Sequence, residues 1–252
     1  MKLPYFDLLS PAPVYIQSIG GIISPTLREI SSLGYDVYQS YLTFLLMDLK
    51  TCFTMSGNPK LYDALSDAEK SSYDVFDLLT AGEQPLLLLR NILNFFLKGT
   101  ADYSPEKNGF VIREENRETG IVTRENYSLL CDLICQRNYI KSDSRNEFSA
   151  AKSKKALEIM QKLQKGRAAK EKQTKADKNM ELANIISAVA NKSQNLNILN
   201  IWDLTVFQLW DCFSRLTNNS IYDIQSMSVA AWGDKDKHFD VTSWFKRIDT
   251  NN

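Results

Sequence analysis

The stretch Met180–Phe245 decides the fold of the C-terminal part of this chain and reads MELANIISAVANKSQNLNILNIWDLTVFQLWDCFSRLTNNSIYDIQSMSVAAWGDKDKHFDVTSWF. It contains all four tryptophans of the protein and no proline. Apolar residues recur in it at the three- and four-residue spacing of amphipathic helices, with polar turns between them. We therefore predict a Trp-rich domain of three helices over residues 179–252.

The first two of these helices have clear local signals. In the first helix, one face carries an apolar stripe, and Asp177 or Asn179 is available as its N-cap. In the second, Thr205 and Gln208 have the spacing of a capping box, and Leu204 and Leu209 have that of a hydrophobic staple. The predicted core residues of the two helices are Leu182, Ile185, Ile186, Val189, Val206, Leu209, Trp210 and Phe213.

A polar turn, Thr217–Ser220, is expected to separate the second helix from a third over Ile221–Trp232. Ile221, Ile224 and Val229 are its predicted core contacts, and Gly233 is its expected stop. Two helices joined by a short turn also suggest a DNA-binding helix-turn-helix. We exclude that interpretation because residues 217–232 contain no Lys or Arg to contact phosphates or base edges.

The remainder of the chain predicts an N-terminal helical domain over residues 1–141. We expect a weak hairpin around Gly20-Gly21, a short helix capped by Ser24, and one long apolar helix over 35–55. A small β-hairpin is predicted at 108–123, where short apolar runs flank a charged turn, ENRETG. Thr123 is expected to cap the helix that follows. The whole protein is thus predicted to be mostly α, a two-lobed helical bundle.

A strong shift in composition marks residues 142–178, which we interpret as a basic linker that is an exposed helix or partly disordered. Residues 150–178 contain ten Lys or Arg and three acidic residues. Such a run is typical of a solvated linker, but it would also suit a docking surface for nucleic acid or for an acidic protein. The cations assigned to this basic surface are Lys152, Lys154, Lys155, Lys162, Lys165, Arg167, Lys170 and Lys172.

Residue chemistry argues against an enzyme. Lys+Arg 30 balances Asp+Glu 30, and His238 is the only histidine, which disfavours imidazole-dependent catalysis. Cys131 and Cys135 share a helix face, but a structural zinc needs four ligands and no second pair is spaced to supply them. A calcium loop from Asp234 would need glutamate where the chain has Phe245. We therefore expect no catalytic, metal-binding or cofactor-binding residues, and no cofactor.

The absence of disulfide spacing and of an apolar N-terminal run predicts free, buried cysteines and a location in a reducing cytoplasm. The longest apolar run, residues 86–97, is interrupted by polar residues and is too short to cross a bilayer, so no membrane partner is expected.

The order of several segments resembles a family of proteins encoded by tailed bacteriophages. The segments are YIQSIGGIISPTLREISSLGYDVYQSYLTFLLMD, VFDLLT, NYSLLCDLICQRNYI, the basic linker, and then MELANIISAVA, NIWDLTVFQLWDCFSRL and NSIYDIQSMSVAAWGD, of which the last three are the most specific. This resemblance covers most of the chain. It implies a role in tail morphogenesis, similar to that of tail assembly chaperones, and it carries over no catalytic residues. It also implies a location in the host cytoplasm, with association with the virion as an alternative.

A tail assembly protein would bind a partner such as the tape measure or tail tube protein through helical and aromatic surface. Aromatic side chains dominate binding hot spots, and they equally suit packing on the protein's own core. The candidate partner-binding residues are Tyr5, Phe6, Trp202, Trp210, Trp232, Trp244 and Phe245. The alternative function is a nucleic-acid-binding or structural adaptor protein that uses the basic 150–178 segment.

Overall fold

The computed structural model describes residues 1–140, 178–234 and 238–248, which are mostly helical. The chain divides into two compact units. Unit 1 comprises Met1–Pro25 and Glu29–Lys170, and unit 2 comprises Thr26–Arg28 and Glu171–Asn252. Residues 142–177 of the predicted basic linker lie outside the described residues.

The N-terminal part of the chain, up to residue 140, alternates short helices with two small antiparallel sheets. Its helices are α1 (Tyr5–Leu9), α2 (Leu27–Leu33), α3 (Tyr35–Leu45), α4 (Leu49–Met55), α5 (Pro59–Ala64), α6 (Asp67–Ser72), α7 (Val75–Ala81), α8 (Glu83–Phe96) and α9 (Arg124–Arg137). Its strands are β1 (Val14–Ile16), β2 (Gly20–Ile22), β3 (Thr100–Ser104), β4 (Gly109–Glu114) and β5 (Arg117–Val122).

The predicted hairpin at 108–123 is present as β4 and β5, with a tighter turn than expected. Glu115 and Asn116 form a two-residue turn with φ of 48° and 65°, the left-handed values that match the twist of a hairpin. The sheet also has a third strand, β3, which pairs with β4 and was not predicted. Phe110, Val111 and Ile112 of the central strand are all buried, so the sheet is part of the core of unit 1.

The predicted hairpin around Gly20-Gly21 exists, but both glycines lie in β2 and not in the turn. Gly20 has a φ of +99°, and a Cβ on Gly21 would lie 3.0 Å from the ring of Tyr15. These glycines therefore permit close packing. The hairpin joins the sheet through the amide of Ile121, which donates to the carbonyl of Ser18 at 3.0 Å.

The long helix predicted for residues 35–55 is wrong, because the chain forms α3 and α4 with a break at residues 46–48. Asp48 takes an extended conformation and accepts a hydrogen bond from the amide of Thr51 at 2.8 Å. An Asp N-cap of this kind begins a new helix. The second half of α3 is buried as a central helix would be, at Tyr41, Leu42 and Phe44, but its first turn is exposed at Tyr35 and Val37, so the helix is not surrounded by core on all sides.

Ser24 is not the helix cap that we predicted. Helix α2 begins at Leu27, and the Ser24 hydroxyl instead accepts a hydrogen bond from Nε of Arg137 at 2.6 Å. Arg137 is the last residue of α9 and its side chain is fully buried. The expected cap of α9, Thr123, is confirmed as half of a capping box with Asn126.

Unit 2 is built on two helices that pack together, α10 (Leu182–Lys192) and α11 (Val206–Trp232). All four predicted core residues of α10 are buried, whereas its N-cap is Glu181, with no side-chain cap bond. Asn179 is therefore not the N-cap, and Asp177, the other predicted cap, lies outside the described residues. The short segment Thr26–Arg28 also belongs to this unit, where the amide of Leu27 donates to the carbonyl of Leu204 at 2.8 Å.

Helix α11 runs for 27 residues, so the turn predicted at Thr217–Ser220 is wrong. The polar side chains there bond back onto the helix. Thr217 donates to the carbonyl of Phe213 at 2.9 Å, and Ser220 to that of Leu216 at 2.7 Å. Side chains satisfied in this way are tolerated inside a helix. The helix ends at Gly233 as predicted, with a φ of +77°.

The predicted capping box at the start of α11 is confirmed. The amide of Thr205 donates to Gln208 at 2.9 Å, and the amide of Gln208 donates to Thr205 at 3.3 Å. We expect Thr205→Ala to destabilise unit 2 by about 1 kcal/mol, because one amide at the helix start loses its acceptor. Urea unfolding followed by tryptophan fluorescence measures this, since all four tryptophans belong to unit 2.

The control is Asn219→Ala, an exposed position of the same helix. Alanine has the higher helix propensity, so this variant should match or slightly exceed the wild type in stability. Equal midpoints for Thr205→Ala and the wild type would show that the capping box contributes nothing to unit 2.

Candidate functional site

The segment that follows α11 holds an aromatic pair out toward solvent. Trp244 and Phe245 lie on a single 3-10 turn, Ser243–Phe245, with ring centroids 5.0 Å apart in an edge-on arrangement. Their exposed fractions are 50% and 56%. Val241, just before them, is also largely exposed. We call Val241, Trp244 and Phe245 the aromatic knuckle.

Hydrogen bonds around Asp240 hold the aromatic knuckle in shape. The Asp240 carboxylate accepts from the Thr242 amide at 2.9 Å and from the Thr242 hydroxyl at 2.6 Å. Lys246 reaches the other carboxylate oxygen at 3.3 Å. The bonds from Thr242, and then the one from Lys246, lower the pKa of Asp240. The carboxylate therefore stays ionised at neutral pH and keeps its role as acceptor.

Two contacts fasten this segment to α11. Arg215 donates from Nη1 to the carbonyl of Lys246 at 2.8 Å. The rings of Tyr222 and Phe239 lie 5.4 Å apart. The aromatic knuckle is thus supported by a helix, and binding through it would cost little ordering of the backbone.

The second half of α11 carries another apolar surface. Ile221 and Ile224 were predicted as core contacts, and that prediction is wrong, because they are 49% and 65% exposed. Met227 and Trp232 are 63% and 80% exposed. Of the three predicted core contacts, only Val229 is half-buried as a packing residue would be. We call Ile221, Ile224, Met227 and Trp232 the α11 stripe.

Trp202 and Trp210, two other candidate partner-binding residues, lie in unit 2. Trp202 is half-buried, and its indole Nε1 donates to the carbonyl of Ile198 at 2.8 Å. Trp210 is half-buried against Phe213, with ring centroids 5.9 Å apart. Both tryptophans therefore contribute to packing inside unit 2.

Tyr5 and Phe6 belong to α1 in unit 1, where Tyr5 is half-buried and Phe6 is almost fully exposed. Of the seven candidates, the structure brings Trp244 and Phe245 together, and Trp232 belongs to the stripe. The basic-surface candidates at 152–172 lie outside the described residues.

Ile198 and Leu199, in the loop before α11, are exposed apolar residues that the sequence analysis missed. The segment NLNILN that contains them has no charge and no regular period, so it gave only a weak signal. Exposure of such a pair depends on how the loop folds, which local sequence does not reveal.

The four cysteines are largely shielded from solvent. Cys52, Cys131 and Cys135 are buried, Cys212 is half-buried, and none of the four forms a disulfide. Burial, followed by the nearby Asp48, raises the pKa of Cys52 to about 12, so this thiol stays protonated. Within residues 1–140, 178–234 and 238–248, no group of His, Cys, Asp and Glu side chains could hold a metal ion.

A charged cluster lies on the surface of unit 1. Lys98 contacts the Tyr15 hydroxyl at 2.7 Å and a Glu114 carboxylate oxygen at 3.1 Å. The hydrogen bond with Tyr15, and then the one with Glu114, raises the pKa of Lys98 to about 12. A lysine held in its charged form is a poor base or nucleophile, so the cluster serves to tie β1 to β4.

In the part of the chain that the structure describes, no helix has both the length and the apolar character needed to cross a membrane.

Comparison with known proteins adds one finding for the C-terminal part of the chain. Residues 170–249 match the family model of the YomV second domain. This family is phage-derived, and YomV is a Bacillus prophage protein. The matched segment contains α10, α11 and the aromatic knuckle, so the candidate surfaces lie inside it. The match supports a phage protein, in agreement with the resemblance noted from the sequence. No match was found among curated proteins or among solved structures.

Proposed function

We propose that this chain is a non-enzymatic bacteriophage protein that acts in tail assembly by binding another tail protein, such as the tape measure, in the host cytoplasm. The observation that carries the proposal is the aromatic knuckle. Trp244 and Phe245 are exposed, and hydrogen bonds around Asp240 hold the backbone of their turn in place. Exposed aromatic side chains on a fixed backbone are typical of binding hot spots.

The phage-derived family match supports the setting of this proposal, and it spans the knuckle. Transient binding through aromatic surface also suits an assembly protein, which must release its partner. Burying two exposed aromatic side chains gives useful affinity from a small area, without the large apolar interface of a permanent complex.

The test is capture of the partner from phage-infected cells. The full-length tagged protein is the bait, and parallel samples are washed at low salt and at about threefold higher salt. Proteins are identified by mass spectrometry, and nucleic acid is quantified. We expect an identified tail protein to be retained at both salt concentrations, because contacts between apolar surfaces survive screening.

The double variant Trp244→Ala/Phe245→Ala should reduce recovery of that tail protein about tenfold or more, the effect of losing a hot spot. The control Ile198→Ala/Leu199→Ala removes exposed apolar residues elsewhere in unit 2 and should leave recovery unchanged. Equal recovery with both double variants would exclude the knuckle as the binding surface.

The alternative, a nucleic-acid-binding or adaptor protein, is favoured by the ten Lys or Arg against three acidic residues in residues 150–178. Binding of this kind weakens steeply as salt rises. Nucleic acid retained only in the low-salt wash, with no tail protein, would replace the tail assembly proposal by this one.

A further inference from the structure

Ile224 and Met227 of the α11 stripe continue a line of residues that is buried at the start of the helix, and Ile221 and Trp232 lie beside that line. Positions 206, 210, 213, 217, 220, 224, 227 and 231 alternate in steps of four and three, the spacing of a helix-pairing seam. Along this line, Val206 is buried, Trp210 and Phe213 are half-buried, and Ile224 and Met227 are about two-thirds exposed. This apolar face of α11 is therefore buried near the N-terminus of the helix and exposed to solvent near its C-terminus.

The lengths of the helices explain the change. Helix α10, which packs on α11, has 11 residues, and α11 has 27. At 1.5 Å per residue these correspond to about 16 Å and about 40 Å, so α10 is too short to cover the whole face. The open part begins near Thr217 and extends to Trp232, four turns of helix that present apolar side chains to solvent.

The open part is also almost free of charge. Between Thr217 and Trp232 the only charged residue is Asp223, which lies about 100° around the helix from Ile224 and about 40° from Met227. A surface with one acidic residue offers little electrostatic code for a different partner. Two identical surfaces can therefore meet with only the repulsion between one exposed carboxylate on each copy.

We propose that the α11 stripe is a self-association surface, at which two copies of this chain pair through the second halves of their α11 helices. The helices run antiparallel about a two-fold axis at Ile224. In that register Ile224 faces its own copy, Ile221 faces Met227, Ser220 faces Ser228, and Thr217 faces Ala231. Large side chains then meet large ones and small meet small, as an isologous interface requires.

Packing within unit 2 favours the antiparallel direction. Because α10 packs against α11, a parallel partner would bring both α10 helices to the same end of the pair, where they would compete for space. In an antiparallel pair the open half of each α11 overlaps only the open half of the other. The opposed helix dipoles are also favourable.

The available area predicts a weak dimer. The four stripe side chains present on the order of 500 Å² per copy, so pairing would bury about 1,000 Å² in total, close to the minimum for a specific interface. Dissociation in the micromolar range follows from an interface of that size, and dimers should form reversibly as concentration rises. This proposal stands on α11 alone and does not depend on the tail partner.

Sedimentation velocity of the purified full-length protein, from about 1 to about 200 µM, tests the proposal. We expect the wild type to pass from monomer to dimer. Ile224→Glu places two like charges face to face at the axis and should weaken association at least tenfold. Asn219→Glu adds the same charge on the other side of the helix and should associate as the wild type does. Circular dichroism confirms that both variants remain helical.

Crosslinking tests the register. In the antiparallel pair, Ile224→Cys should form a disulfide-linked dimer under mild oxidation, whereas Ile221→Cys, which faces Met227, should not. A protein that stays monomeric up to the highest concentration would overturn the proposal, as would equal dimerisation by Ile224→Glu and Asn219→Glu. Crosslinking at both cysteine positions would overturn the antiparallel register.

Discussion

Replacing Arg137 by Met is expected to destabilise unit 1 by about 3 kcal/mol or more, because several acceptors lose their donor and each buried acceptor left unsatisfied costs about 1–3 kcal/mol. The guanidinium is fully buried and has four protein acceptors. Nε donates to Ser24 Oγ at 2.6 Å, Nη1 to the carbonyl of Asp7 at 3.1 Å, and Nη2 to those of Ser10 and Ala12 at 3.2 and 2.9 Å. Methionine fills much of the volume and leaves all four acceptors without this donor.

The role of Arg137 is to fix the N-terminal segment. The three carbonyls belong to residues 7–12, at the end of α1 and in the loop after it. Burial lowers the pKa of Arg137, and the nearby Asp7 raises it, but guanidinium remains charged in proteins. The positive charge is therefore satisfied by peptide dipoles in place of a carboxylate. Arg137→Lys should lose part of the stability, since an ammonium group cannot reproduce the fork of donors.

Urea unfolding followed by far-UV circular dichroism measures the effect. The matched control is Arg124→Met in the same helix, where the side chain is 46% exposed and pairs with Asp77 at 2.8 Å. Exposed ion pairs contribute at most about 1 kcal/mol, so this variant should change little. If Arg137→Met were no more destabilising than Arg124→Met, the buried network would carry no net stability.

Local signals in the sequence were sufficient where one or two turns of chain decide the structure. The capping box at Thr205, the helix cap at Thr123 and the helix end at Gly233 form as expected, because each depends on residues within a few positions of one another. The same reasoning failed at Thr217–Ser220. Composition typical of a turn cannot tell whether the side chains will bond to the backbone of a helix that continues.

Contacts between distant parts of the chain could not be predicted in this way. The bond between Arg137 and Ser24 joins residues 113 positions apart, and no periodicity marks it. Strand β3 was missed for a related reason. Only Ala101 of its five residues is buried, so it lacks the alternating pattern of a half-buried strand.

The candidate site was predicted as a set of residue types and not as a surface. Aromatic residues at Trp202, Trp210 and Trp244 were equally suited to binding and to packing. The structure divides them, since Trp210 packs against Phe213 whereas Trp244 projects to solvent. Amphipathic spacing likewise showed that α11 has an apolar face at Ile221 and Ile224. It could not show that α10 is too short to cover that face.

Gly120→Ala is expected to destabilise unit 1 by about 3 kcal/mol or more, because no space exists for one methyl group. A Cβ at Gly120 would lie 2.3 Å from the carbonyl carbon of Ile19 and 2.4 Å from its oxygen. Both atoms are backbone, so no side-chain rotation can relieve the clash. Alanine must push the β1–β2 hairpin away from β5, which strains the hydrogen bond from Ile121 to Ser18 and exposes the buried Ile19.

Gly57→Ala is the informative comparison. Gly57 has a φ of +80°, where glycine is ordinarily required, but a Cβ there would meet nothing within 4 Å. Its replacement should cost only about 1–2 kcal/mol, the backbone strain of one left-handed residue. Gly120→Ala should cost more than Gly57→Ala. Gly120 has no positive φ, so alanine there causes no backbone strain of that kind, but its Cβ has no space to occupy. Urea unfolding by circular dichroism decides between the two, and the reverse order would mean that the hairpin shifts freely on the sheet.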